Sequence, residues 1–230
     1  MNQPFSRNRR RHGFTLIELS MVLVIIALLA GGIFMAQTMI RQAQIRGVAG
    51  EFDATKKAIA EFRDKYMGLP GDITTAESIW GSDSGCPGTG SVTSVKSLTC
   101  NGDGSGTIGS STNFGALSRQ WEWFRAWQQL SNAGLIRGSF TGAAGINGVS
   151  EAVIGVNVPS SQLSGAGWTL NYMLLNSSGM MWGDQYGHLL NLGGAVTNDY
   201  TRGPILMPDE AFSLDTKIDD GSPGRGMVRS

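Results

Sequence analysis

Histidine and cysteine are scarce in this chain, and their scarcity excludes several kinds of catalytic and metal site. The 230 residues include two histidines, His12 and His188, and two cysteines, Cys86 and Cys100. No spacing of histidine and cysteine typical of a zinc site occurs, and the nucleophile motif G-x-S-x-G is absent. We therefore expect no enzyme activity and no metal held by histidine or cysteine.

Charge is also limited, and it is balanced over the whole chain. Lysine and arginine together number 18, as do aspartate and glutamate. A protein that binds nucleic acid by neutralising phosphates over a broad surface needs an excess of basic residues, so this class is disfavoured. The basic residues are unevenly placed, because four arginines with no acid among them lie before residue 13: Arg7, Arg9, Arg10 and Arg11.

One long apolar segment follows this basic leader. Residues 14–36 contain a single charged side chain, Glu18. A helix of this length crosses about 30 Å of hydrocarbon. Because more arginines precede the segment than follow it, the positive-inside rule places residues 1–13 in the cytoplasm and the chain beyond about residue 37 outside.

The apolar segment admits three interpretations. A cleaved secretory signal peptide is disfavoured, because the apolar run exceeds the usual length of about 7–15 residues and Leu28-Leu29-Ala30 is a poor cleavage site. A plain membrane anchor leaves Glu18 unexplained, since an ionised carboxylate inside a span costs about 3 kcal/mol. In the third interpretation the chain is cut before the apolar helix, which then stays in the mature protein.

The string Gly13-Phe14-Thr15-Leu16-Ile17-Glu18 after a short basic leader closely resembles the processing motif of prepilins, the precursors of type IV pilins and type II secretion pseudopilins. The resemblance implies that a prepilin peptidase and N-methyltransferase cuts after Gly13 and methylates Phe14. It implies that Glu18 pairs with the Phe14 amine of a neighbouring subunit during assembly. Met35 stands where many type IV pilins have a proline, and the two glycines at 31 and 32 favour either a bend or close helix packing.

The resemblance further implies a pilin-like α+β fold, in which a long N-terminal helix packs on a small antiparallel sheet with a disulfide-closed loop. The implied division of the chain is a removed leader, a transmembrane and assembly helix, an amphipathic continuation of that helix, and a periplasmic or extracellular globular domain, at 1–13, 14–36, 37–67 and 68–230. Implied partners are other pilin or pseudopilin subunits, an inner-membrane assembly platform and membrane lipid. Nucleic acid becomes a partner only in a DNA-uptake pilus.

Periodicity predicts the remaining elements. Apolar residues at helical spacing extend the helix to about Tyr66, and the turn residues at 69–72 end it. Residues 118–132 predict a helix whose tryptophans belong to the core or, alternatively, to a carbohydrate-binding or partner-binding surface. Three strands and a C-terminal helix complete the prediction, at 151–158, 168–175, 187–192 and 208–221.

The two cysteines lie close together in a Gly/Ser-rich segment. A disulfide between Cys86 and Cys100 would close this loop and would place it in an oxidising compartment outside the cytoplasm. Two free thiols in a cytosolic protein are the alternative.

The residues directly after Cys100 form a second feature of interest, a series of oxygen-bearing side chains. Asn101, Asp103 and Ser105 carry oxygen atoms at alternate positions, before a glycine and an aliphatic residue, and so resemble the first part of a calcium loop. The acid expected at the twelfth position is replaced by Thr112. Calcium binding is therefore one interpretation, and a turn-rich loop without any cofactor is the other.

Together these features predict a structural subunit of a type IV pilus or of a type II secretion pseudopilus. We expect it to lie in the inner membrane with a cytoplasmic N-terminus and a periplasmic C-terminal domain, and then in a filament. Two alternatives stay open. One is a minor subunit at the filament tip that binds a substrate, a surface or DNA, and the other is a membrane-anchored periplasmic enzyme that uses His188 or aspartate residues.

Overall fold

The computed structural model describes residues 13–86, 95–109, 121–173, 186–222 and 224–229. Over this part of the chain the elements are α1 (Leu16–Tyr66), α2 (Ala76–Trp80), α3 (Trp121–Asn132), β1 (Ala166–Met173), β2 (Gly187–Gly194) and α4 (Pro208–Ile218). Contacts divide the chain into two units, one ending at Ala43 and the other beginning at Gln44. The fold is the predicted pilin-like α+β fold, with a long N-terminal helix, a small antiparallel sheet and a disulfide. The four domain boundaries inferred from sequence stay predictions.

α1 is one continuous helix from Leu16 to Tyr66, as its periodicity predicted. It continues through Gly31 and Gly32, and the space around both glycines is open. It ends where Met67 takes a φ of 56°, in the left-handed region. A backbone hydrogen bond of 3.1 Å then closes the turn at residues 69–72, which confirms the predicted stop.

The core lies in the unit that begins at Gln44. It is formed by the second part of α1, by α3 and β1, by one residue each of α2 and α4, and by residues of the connecting loops. Its most buried apolar members include Val48, Phe62, Phe124, Trp127, Leu130, Leu163, Leu170 and Leu214. Trp127 and Trp123 are only 1% and 8% exposed, so these two tryptophans of the predicted aromatic stripe are core residues and not a binding surface.

α3 buries its polar side as completely as its aromatic side. Glu122, Arg125, Gln128 and Gln129 are all fully buried. Polar side chains at such depth are retained only when hydrogen bonds replace those to water. Gln129 illustrates the arrangement, because its Oε1 accepts a hydrogen bond of 2.6 Å from the backbone N–H of Gly71. The polar side of α3 therefore holds loops, whereas its aromatic side fills the core.

β1 and β2 form an antiparallel pair with Trp168 opposite Leu192 and Leu170 opposite Leu190. β1 is almost entirely buried, whereas β2 is mostly half-buried. The sheet is fastened to α1 by Glu51, whose Oε2 accepts a hydrogen bond of 2.8 Å from Trp168 Nε1. This bond places β1 directly against the amphipathic part of the long helix.

The predicted strand at 151–158 is wrong. Gly155 has a φ of 78°, and the Val156 N–H donates to the Val153 carbonyl at 3.0 Å, so the chain reverses here. The buried side chain of Asn157 also accepts a hydrogen bond of 2.7 Å from the Val153 N–H. Alternating apolar residues suggested a strand, but a left-handed glycine and a buried amide satisfy the backbone as a turn instead.

The other predicted elements are present with shifted boundaries. β1 begins at residue 166 instead of 168, β2 ends at 194 instead of 192, and α4 ends at 218 instead of 221. Residues 118–120 and 174–175, at the ends of two predicted elements, lie outside the described residues. The short helix α2 was not predicted from the sequence.

Candidate functional site

The first turn of α1 is closed by a reciprocal pair of side chains. Thr15 donates hydrogen bonds to Glu18 Oε2 from its backbone N–H, at 2.9 Å, and from its hydroxyl, at 2.8 Å. The Glu18 N–H donates back to Thr15 Oγ1 at 3.2 Å. This is a capping box, which satisfies two backbone donors that the start of a helix leaves open. Glu18 is thereby held at the helix start by its own helix.

The side chains around this cap are apolar and exposed. Phe14 is 91% exposed and Leu16 is 88% exposed. A window of 18 residues in α1 has a mean hydropathy of 2.6, and none of it is buried. Within the described part of the chain, α1 is the one helix that is long and apolar enough to span a membrane. An apolar surface of this extent requires lipid or other protein to cover it.

The processing site predicted from sequence lies immediately before the cap. Gly13 and Phe14 are both exposed, and the space beside the Gly13 Cα is open. The leader arginines lie outside the described residues. The structure therefore places Gly13, Phe14 and Glu18 together at the beginning of α1, and cleavage, methylation and pairing at these residues stay predictions.

A disulfide joins Cys86 and Cys100, which confirms the predicted bridge. It connects two short segments that also pair through their backbones, since Asp83 N–H donates to Thr99 O and Thr99 N–H donates to Gly81 O, both at 3.0 Å. Residues 87–94 between them lie outside the described residues. The bridge thus closes a loop that lies against α3.

Three carboxylates from distant parts of the chain meet beside this loop. One oxygen each of Asp72, Asp103 and Glu122 lies within 4.8 Å of the others. Asp72 accepts backbone hydrogen bonds of 2.9 Å from Ser105 and Gly106. Glu122 accepts one of 2.6 Å from Gly109 and one of 3.3 Å from Asp103. These two acids therefore hold the 103–109 loop by its backbone N–H groups.

Burial changes the acidity of this cluster. Loss of hydration, reinforced by the charges of Asp103 and Asp72, raises the pKa of Glu122 to about 7. Burial also raises the pKa of Asp72, although the hydrogen bond from Gly106 opposes the change. Glu122 therefore changes its charge near neutral pH, which an exposed glutamate does not do.

The predicted calcium ligands are only partly brought together. Asp103 belongs to the carboxylate cluster, and Ser105 Oγ donates to Asp72 at 3.3 Å. Asn101 Oδ1 instead accepts a hydrogen bond of 2.9 Å from the Glu77 N–H, at α2. Thr112 lies outside the described residues. The three clustered carboxylates are of the kind that hold calcium, but calcium binding stays a prediction.

Sequence reasoning missed two members of this cluster. Asp72 was treated as part of a helix-stopping turn, and Glu122 as the acid within an aromatic helix. The available signal for Glu122 was that it is the one acid in a helix rich in tryptophan, since burying a carboxylate requires partners. His188, the remaining catalytic candidate, accepts a hydrogen bond of 3.2 Å from the Ile108 N–H through Nε2. Burial lowers the pKa of His188, which favours the neutral imidazole that such an acceptor needs.

The comparisons with known proteins bear on the N-terminal site. The model of the prokaryotic N-terminal methylation motif matches residues 8–34, which include Gly13, Phe14, Glu18 and most of the apolar helix. No curated protein and no solved structure matches the chain. Of the matched residues, 13–34 are described by the structure, and they form the capped, exposed beginning of α1. The chain therefore carries the prepilin-type N-terminal methylation signature over residues 8–34.

Proposed function

We propose that this chain is a structural subunit of a type IV pilus or of a type II secretion pseudopilus. It is processed after Gly13, methylated at Phe14 and assembled through α1. The observation that carries the proposal is the fully exposed apolar beginning of α1, which follows Gly13 within the methylation motif and bears one acid, Glu18. Before assembly the subunit lies in the inner membrane, with its leader in the cytoplasm and its C-terminal domain in the periplasm.

Removal of the leader has a physical reason. The four leader arginines hold the N-terminus on the cytoplasmic side, because each charged side chain costs about 3 kcal/mol at the centre of a bilayer. Cleavage after Gly13 removes them and leaves the apolar helix intact. The helix can then leave the lipid and enter a bundle of identical helices without carrying those charges through the membrane.

Glu18 supplies specificity within such a bundle. In the single subunit its carboxylate is satisfied by Thr15 of the same helix. In a dry helix bundle the same carboxylate pairs with the positively charged Phe14 amine that cleavage creates on a neighbour. A buried charge left without its partner costs about 3–5 kcal/mol, so misaligned subunits are rejected. The required partners are a prepilin peptidase and N-methyltransferase, an assembly platform and further subunits.

The processing step is tested by mass spectrometry of the N-terminus after expression with and without a prepilin peptidase. We expect a chain that begins at Phe14 and carries one methyl group when the peptidase is present. A Gly13→Leu variant should keep its leader under the same conditions. An intact Met1 in the presence of an active peptidase, or a start near residue 31, would refute the proposal.

The assembly step is tested by comparing Glu18→Gln with Glu61→Gln in cells that build filaments. Both variants remove one acid from α1, but Glu61 is exposed beyond the apolar part and forms only a 3.7 Å surface pair with Lys57. We expect Glu18→Gln to be processed and to remain in the membrane fraction, whereas Glu61→Gln enters sheared filaments. Normal incorporation of Glu18→Gln would contradict the assigned role of this residue.

A further inference from the structure

The buried arginine of α3 takes its counter-ion from the short segment that leads into the disulfide. Arg125 is fully buried, and its Nη2 lies 3.1 Å from Oδ2 of Asp83, whose side chain is 4% exposed. Its Nη1 donates to Gln128 Oε1 at 2.9 Å, while its Nε has no hydrogen-bond acceptor. Among the described residues, the carboxylate that forms an ion pair with this guanidinium is that of Asp83, which lies three residues before the bridged Cys86.

Asp83 is held in place by the segment that the disulfide connects. Its N–H donates to Thr99 O, and its carbonyl accepts the Cys86 N–H at 3.1 Å. Its Oδ1 accepts a hydrogen bond of 3.1 Å from the Gly85 N–H. Asp83 therefore lies in the tight turn that ends at Cys86, three residues before the bridge.

The other side of the loop is bonded to the same helix. Gln129 Nε2 donates to the Cys100 carbonyl at 3.1 Å and to Thr99 Oγ1 at 3.3 Å. Gln128 Nε2 lies 3.4 Å from the Lys96 carbonyl as a weaker contact. The two segments joined by the disulfide thus both bond to α3, one through an ion pair and the other through buried amides.

We propose that the Cys86–Cys100 disulfide acts as a redox switch for the packing of α3, because it holds Asp83 against the buried guanidinium of Arg125. When the bridge is reduced, the two segments are joined only by backbone hydrogen bonds and by a longer chain connection. Asp83 then leaves its position more often, and packing of α3 requires burial of an unpaired charge. This inference does not depend on filament assembly.

The chemistry of the switch is ordinary thiol–disulfide exchange. Reduction by a dithiol such as dithiothreitol breaks the S–S bond, converts Cys86 and Cys100 to thiols, and leaves the reductant as a cyclic disulfide. In the opposite direction a disulfide-bearing oxidant takes up the two electrons. The outer domain therefore completes its folding only where such an oxidant is supplied.

The test measures thermal unfolding of the full-length processed protein in detergent, oxidised and after reduction with dithiothreitol. Arg125→Met removes the buried charge but keeps a long apolar side chain. We expect the decrease in Tm on reduction to be less than half as large in Arg125→Met as in the unchanged protein. Arg202→Met is the matched control, because it removes an arginine that pairs with Asp199 at the surface, and it should show the full decrease.

If reduction lowers the Tm of the unchanged protein and of Arg125→Met by the same amount, the proposal is overturned, since the bridge would then act independently of the ion pair. If the unchanged protein is unfolded at every temperature once it is reduced, the proposal requires that Arg125→Met remain folded after reduction. Unfolding of both reduced proteins would refute the proposal.

A second measurement needs no variant. Hydrogen–deuterium exchange of the unchanged protein should become faster in peptides covering 121–132 after reduction. Acceleration confined to 81–100 would refute the coupling between the bridge and α3.

Discussion

The buried carboxylate of Glu122 predicts a stability that falls as the pH rises through neutrality. Its pKa is about 7 in the folded protein, against an ordinary value of 4.5. Below about pH 4.5 the group is protonated in both states and contributes nothing. Above about pH 7 the folded state must hold a desolvated charge that the unfolded chain exposes to water, so folding is disfavoured.

The size of the effect follows from the two pKa values. Each pH unit between them corresponds to about 1.4 kcal/mol, so the full difference amounts to about 3 kcal/mol. The change of stability with pH therefore has the opposite sign to the change produced by a carboxylate that a salt bridge stabilises. Asp72, whose pKa is also raised by burial, adds a decrease of the same sign.

The perturbation is Glu122→Gln, which keeps the shape of the side chain but cannot ionise. Its absolute stability is not the test, because the amide cannot accept from both the Gly109 and the Asp103 N–H in the same way. The test is the slope of unfolding free energy against pH. We expect the unchanged protein to lose about 2.5 kcal/mol more than Glu122→Gln between pH 5 and pH 8, because the unfolded chain is already partly ionised at pH 5.

The assay is urea unfolding of the full-length protein in detergent, followed by tryptophan fluorescence, in buffers that contain EDTA. Glu151→Gln is a control of opposite sign, because hydrogen bonds from Asn147 lower the pKa of Glu151. That variant should lose stability at neutral pH, and the difference should vanish as the pH falls through the lowered pKa. Equal slopes for Glu122→Gln and the unchanged protein would refute the reasoning. Replacing EDTA with calcium tests the calcium prediction, since a bound cation would suppress the pH dependence.

Three further predictions concern single contacts. Glu51→Ala removes the acceptor of hydrogen bonds from Trp168, Ser161 and Gln162, at 2.8, 2.6 and 2.7 Å. This variant should lower the unfolding free energy by about 2–3 kcal/mol in urea titrations. The control Glu61→Ala should change it by about 0.5 kcal/mol or less. Asn157→Ala removes the acceptor of the Val153 N–H and one of the donors to each of two backbone carbonyls, and should cost about 2–3 kcal/mol, measured as a lower Tm; a change within about 0.5 kcal/mol would contradict it. Thr15→Val removes both hydroxyl bonds to Glu18, costs the helix start about 1 kcal/mol, and should reduce filament yield in a pelleting assay, whereas Thr15→Ser should restore it.

Patterns along the chain predicted the elements whose signal is local. The period of α1 and its stop at 69–72 depend on residues within a few positions of one another. The predicted strand at 151–158 failed because the same apolar alternation fits a turn when Gly155 adopts a left-handed backbone. Local pattern could not decide between these two outcomes, because the side chain of Asn157 is buried and also donates to the Ala143 carbonyl, a contact that only the folded chain supplies.

The features of the N-terminal part were identified from the order of residues alone. They are a basic leader, Gly13, and an apolar helix with one acid near its start. These features depend on the length of the helix relative to the thickness of the bilayer and on contacts within one helical turn. They can therefore be identified without the folded domain. Only the tertiary structure decided the polar interior around α3. Asp72, Asp103 and Glu122 are separated in sequence, and so are Asp83 and Arg125. Their energetics arise only when folding brings them together and removes water from Asp72 and Glu122 in the first set and from both members of the second.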